Sequence, residues 1–165
     1  MGSGAQELPP PGATGAFDFD LSGVHSDIVK RGYAYWRSRC RERLPSRAMI
    51  DPADIPALLP HVVIHGVKRA PLDFVYRLIG TDVRRHMEQD RTGQWMSAIP
   101  GQQPPSQIWD NLAEIAASGR PLLNQTPYVG PHREFLRMES VQLPLAADGV
   151  RVDMILVFAD FLRMQ

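Results

Sequence analysis

The segment Met154-Ile155-Leu156-Val157-Phe158-Ala159 decides the fold, because it is apolar on both alternating parities. Successive side chains of a strand point to opposite faces. Six apolar residues in a row therefore predict a central strand, spanning about 151–161, that is covered on both sides. Working upstream, Asp148-Gly149 is a hairpin turn signal. Before it, residues 133–145 and 122–129 read as two more strands. Further back, Ser106 caps a helix in which Ile108, Leu112 and Ile115 or Ala116 line one face, and Gly119 and Pro121 stop it.

The N-terminal half supplies the rest. Residues 1–20 are rich in Gly, Pro and Ala, a composition too poor in apolar surface to order itself, and predict a flexible leader whose end Phe17, Phe19 and Leu21 could anchor. One domain is expected over 21–165. It opens with a helix over 26–44, capped by Ser26 or Asp27, in which Val29, Tyr33, Trp36, Cys40 and Leu44 form a single apolar stripe. Asp51-Pro52 begins a capped turn that Pro60 closes. Val62, Val63, Ile64 and Val67 then make a β-branched strand, Ala70-Pro71-Leu72-Asp73 a turn, and Phe74 to Ile79 a second strand. Thr81 caps a short helix through Met87, and residues 88–101 predict short turns with Trp95, Met96 and Ile99 pointing inward. Two hairpins sharing a sheet, with helices over one face, define an α+β domain of five strands.

Composition narrows the functional classes. The chain has 165 residues, 18 basic and 18 acidic, no net charge, and one cysteine. Zero net charge argues against bulk attraction to nucleic acid or anionic lipid. One cysteine excludes an internal disulfide framework and a cysteine-based zinc cluster. No apolar run is long enough to span a membrane, and the first 20 residues lack the features of a secretory signal. The expectation is a soluble cytoplasmic protein.

Certain phrases resemble the PAS domain, and within it a short bacterial single-domain family of the alphaproteobacterial type. They are Tyr35-Trp36-Arg37, Leu44-Pro45-Ser46-Arg47, the run from Asp51 to Pro60, Tyr76-Arg77-Leu78-Ile79-Gly80-Thr81, Asp90-Arg91-Thr92-Gly93 and Leu143-Pro144-Leu145. The resemblance covers about residues 28–162. It implies an antiparallel sheet of strand order 2-1-5-4-3, helices enclosing a cavity on one face, and an amphipathic N-terminal helix. That helix, through Val29, Tyr33, Trp36 and Cys40, would pack on the sheet or on a second subunit, as in a homodimer. The resemblance also implies a sensory or protein-interaction module whose ligand varies between members. It transfers no catalytic residues and names no ligand.

Candidate chemistry is sparse. His61 and His65 are four apart, but on a strand that spacing separates them by about 13 Å, so they read as polar residues at the strand's ends and no metal site is expected. The flavin-binding phrase of PAS light sensors is missing: residues 80–86 hold no Cys, and Cys40 sits on the first helix's apolar stripe. Residues 106–118 hold no His where haem-binding PAS domains place their axial ligand, so flavin and haem are both disfavoured and the cofactor is unknown. No nucleophile elbow, phosphate loop or His-Glu-x-x-His occurs, so the chain is not expected to be an enzyme. Residues 26–47 carry seven basic side chains against Asp27 and Glu42, which fits the solvated side of an amphipathic helix.

The ligand candidates are Tyr76, His86, Tyr128 and Arg137 as polar groups, with Trp95 and Trp109 as stacking faces. Tyr76 and Arg77 are strand neighbours, so only one of them sees a given cavity. An Arg137 facing the cavity would clamp a carboxylate or phosphate, giving an anionic or aromatic metabolite as the expected ligand. The alternative is a ligand-free interaction module whose cavity is filled by its own side chains. No residues are left over for a kinase or a DNA-binding segment, so output is expected to pass to a partner protein.

Overall fold

The computed structural model describes residues 17–163. Helix α1 spans Asp27–Arg39. Strands β1 (Val62–Lys68) and β2 (Asp73–Ile79) follow, then α2 (Thr81–Arg85), α3 (Gln107–Ser118), β3 (Leu122–Pro127), β4 (Phe135–Leu145) and β5 (Met154–Arg163). The five strands form one sheet in the order β2-β1-β5-β4-β3. The four pairings are antiparallel. The expected topology is the observed one, and β5 lies at its centre between β1 and β4.

Several boundaries move for local reasons. Helix α1 ends at Arg39, not at 44, because Cys40 turns into extended backbone. Leu44 is still buried, but as loop, with its N–H bonded to the Gly149 carbonyl at 3.0 Å. β5 begins at Met154 instead of 151, because Asp148 and Asp153 tie up the turn: the first accepts from the Val150 and Arg151 N–H groups, the second from Ala147 N–H. The packed unit also starts before residue 21. Phe17 is buried and meets the Trp36 ring edge-on at 5.8 Å. The rest of the expected leader, residues 1–16, lies outside the described residues.

Alternation along β5 divides the molecule in two. Leu156, Phe158 and Asp160 face α1, whereas Val157, Ala159 and Phe161 face α2 and α3. Helix α1 lies close against β4 and β5 because Gly32 lets it: a Cβ there would collide with the Phe158 ring. Trp36 is fully buried, and its indole N–H donates to the Pro144 carbonyl at 2.9 Å. Two acids fix the helix start. Glu139, fully buried, accepts from His25 N–H at 3.1 Å, and its cross-strand partner Asp160 accepts from the Ser26 hydroxyl at 2.6 Å. Both sit at the positive end of the helix, where negative charge is favoured.

The stripe Val29, Tyr33, Trp36 and Cys40 is thus buried on its own sheet. Truncating Trp36 to Ala should cost about 3–5 kcal/mol in urea unfolding. Gly32→Ala, which would gain helix propensity on an open surface, should instead destabilise by about 1–3 kcal/mol through overpacking on Phe158. A neutral outcome for both would show that α1 is not held against the sheet.

Candidate functional site

The opposite face of the sheet encloses a cavity of about 570 Å³. Its floor is built by alternation: Val63 and His65 on β1, Val157, Ala159 and Phe161 on β5, Ser140 and Gln142 on β4, Asn124 and Thr126 on β3. Its roof comes from Val83 and His86 at α2 and from Ile108, Asn111 and Leu112 on α3. The segment Tyr128 to Gly130 closes one side, with Val129 almost fully exposed. Ser106 and Gly119 hold α3 in place as foreseen: the Ser106 hydroxyl accepts from Trp109 N–H, and Gly119 ends the helix at φ 66°. That φ is left-handed, where glycine avoids the Cβ penalty.

A β-bulge sets the β2 wall. The register of β1 on β2 slips between Ile64 and His65, so that His65 pairs with Tyr76 and Arg77 is the extra residue. Tyr76 and His65 both line the cavity, their rings 4.7 Å apart, whereas Arg77 is exposed. The Tyr76 hydroxyl donates to Gln102 Oε1 at 2.8 Å, and burial pushes its pKa up to about 12.

His86 sits in an aromatic box. Its ring stacks on Phe161 at 3.7 Å and 23°, with Tyr128, His132 and Phe135 edge-on around it. Nδ1 of His86 is 2.6 Å from the Tyr128 hydroxyl, which also accepts from His132 N–H at 3.4 Å. Burial lowers the His86 pKa, with Asp82 opposing the shift.

Three side-chain atoms in this cavity wall are buried without a hydrogen-bond partner: Nδ1 of His65, Nε2 of His86 and Oε1 of Gln142. An orphaned buried polar atom costs about 1–3 kcal/mol, so three around one apolar space are a substantial penalty.

Of the six expected ligand contacts, Tyr76, His86 and Tyr128 line the cavity, and Trp95, Trp109 and Arg137 do not. Trp95 is exposed, its ring under the Lys68 ammonium at 5.5 Å, and it bridges to Val75 at the β2 edge. Trp109 turns from the cavity onto Phe74 at 5.1 Å. Arg137 has the opposite parity to the cavity-lining Met138 and Ser140 and is exposed. The expected clamp for an anion is therefore not formed by Arg137, and among the described residues no Asp, Glu, Lys or Arg lines the cavity.

His65, Gln142 and Asn111 were missed. His65, expected as a polar residue at a strand's end, is 4% exposed and central to the floor. For Gln142 the signal was available: it shares a parity with Met138 and Ser140, opposite to the apolar Val141 and Leu143 of the same strand. His61, at the other end of that spacing, lies outside the cavity. Its Nδ1 is 3.1 Å from the Ala159 carbonyl and 3.4 Å from Asp82, and with Asp160 these groups lie close enough to hold a cation. Each is already engaged, Asp82 also by Arg85 and Asp160 by Ser26.

A family model described as the PAS domain matches residues 24–157. This chain belongs to the PAS domain family. A search of curated proteins finds no match.

Burial alone drives the His65 pKa down to about 4 from the usual 6.5. The unfolded imidazole gains a proton as pH falls through 6.5, and the folded one resists until about 4. This group's contribution to stability is complete above the unfolded value and drains away as pH falls between the two, by up to about 3 kcal/mol. His65→Gln should abolish that part of the acid destabilisation, measured by urea unfolding at about pH 7 and about pH 4.5. An unchanged loss in the variant would assign the titration elsewhere.

Proposed function

We propose that this chain is a sensory or adaptor PAS module that binds a small organic molecule and reports its occupancy to a partner protein. The observation that carries the reading is the cavity: about 570 Å³, largely apolar, with three buried polar atoms unpaired. Ligand sites are typically apolar spaces of about 300–1,000 Å³ with a few convergent polar groups. A ligand-free module would have its own side chains in that space, which makes it the weaker alternative. No residue is proposed as catalytic, and the cytoplasm is the proposed compartment. The chain contains no helix long and apolar enough to cross a membrane among the described residues.

Output is proposed to run through the sheet to α1 and a protein bound beside it. The α1 stripe already serves its own sheet, so a second copy forming a homodimer would engage another surface.

Native beside denaturing mass spectrometry of the protein from its expression host should reveal a retained small molecule. Adding it back should stabilise the ligand-free chain by about 2.7 kcal/mol at a hundredfold excess over Kd. Ala159→Leu, which fills the floor of the cavity, should cancel that gain. A chain with no retained molecule, and equally stable with or without the Ala159→Leu substitution in every ligand screen, would favour the interaction module.

A further inference from the structure

We propose that the cavity selects an uncharged ligand, one that presents a hydrogen-bond acceptor to Nε2 of His86 and a donor to Oε1 of Gln142. This rests on the reading of the cavity as a ligand site and adds the chemical class of what fills it.

The class follows from the lining. Among the described residues the walls carry hydroxyls, amides and imidazoles but no carboxylate, ammonium or guanidinium. A charged ligand would leave water and find no counter-charge. Arg77, Arg84, Arg85 and Arg137 each adjoin a cavity residue in sequence, yet none of them lines the cavity: Arg77 and Arg137 are exposed on the other parity, Arg84 bonds the Met87 carbonyl, and Arg85 pairs with Asp82. The two histidines lose their usual affinity for a proton through burial, which leaves both rings neutral.

The polarity of the two contacts follows from the hydrogen-bond network. The Tyr128 hydroxyl accepts from His132 N–H and has one hydrogen of its own, and the acceptor within reach is Nδ1 of His86. A neutral imidazole that accepts at Nδ1 carries its proton at Nε2. In that tautomer Nε2 is a donor, and it is buried without a partner. Oε1 of Gln142 is a buried acceptor without a partner. The flat surfaces of Tyr76 and Phe161 beside them suit a planar, aromatic body. An aromatic amide, lactam or hydroxy-ketone satisfies both ends without ionising.

The test uses the whole chain and matched probes: nicotinamide with nicotinate, and indoleacetamide with indoleacetate, titrated by two-dimensional amide NMR. The amides should shift cavity resonances and bind at least about tenfold more tightly than their carboxylate twins. Gln142→Leu and His86→Phe should each weaken the amides about tenfold and leave the carboxylates unchanged. Asn124→Arg, which places a cation at a half-exposed floor position where folding tolerates it, should swing the preference towards the carboxylates. Carboxylates binding in the cavity as well as the amides would overturn the uncharged class and leave the cavity standing as a ligand site. Probes of neither class shifting any cavity resonance would overturn the ligand-site reading itself.

Discussion

The double-sided burial of β5 is the constraint on which the rest of this structure depends. A strand that is apolar on both parities must be covered on both faces, and this one has strands β1 and β4 on either side of it. One cover is α1, admitted by Gly32 and fastened through Trp36. The other cover is the α2–α3 layer. The two covers are built differently. Helix α1 lies directly on the sheet at Gly32 and Phe158, whereas α2 and α3 stand off it and enclose a cavity. The difference traces to residue choice on the two parities: Leu156 and Phe158 lie under α1, but Val157 and Ala159, smaller on average, lie under the roof.

Polar groups on that second face support the reading of the cavity as a site. Protein interiors rarely leave buried donors and acceptors unpaired, since each is costly when water is removed. Here the unpaired atoms belong to side chains on three separate elements, β1, β4 and the end of α2, and all three residues line the same cavity. By contrast, the buried polar groups under α1 are matched: Glu139 takes His25 N–H and the Gln125 amide, and Asp160 takes the Ser26 hydroxyl and Phe161 N–H. Arg39 Nε, at the end of α1, is also buried without a partner, so the contrast lies in the polar side chains of the sheet itself.

Much of the fold was legible because it was written in period. Alternation in β5, the stripe of α1, and caps at Ser26 and Ser106 each have a local physical cause, and the structure realises them. Helix ends were less legible: nothing between Arg39 and Leu44 breaks a helical pattern, and the turn at Cys40 is imposed by the chain's return to Gly149. The site was half legible. Tyr76, His86 and Tyr128 were found by residue type, but type also drew in Trp95, Trp109 and Arg137. Parity separates the last of these from the cavity, and it needed only Val157 as a reference to do so. The bulge that pairs His65 with Tyr76 leaves no mark in the residue pattern, since Arg77 is an ordinary strand residue. That bulge is what sets Tyr76, and not Arg77, opposite His65.

The two faces are coupled through the backbone they share. Every β5 residue lining the cavity has neighbours that hold α1: Val157 lies between Leu156 and Phe158, and Ala159 between Phe158 and Asp160. A displacement of a few tenths of an ångström on the cavity side therefore acts on the Phe158 ring, against which Gly32 is packed too closely to allow even a methyl group. Close-packed contacts transmit strain instead of absorbing it. The same displacement reaches Asp160 and, through the Ser26 hydroxyl, the cap of α1. On the sensory reading, ligand occupancy and the seating of α1 are linked by that short path. The linkage is reciprocal, so a partner that shifts α1 must change the affinity of the cavity by the same factor.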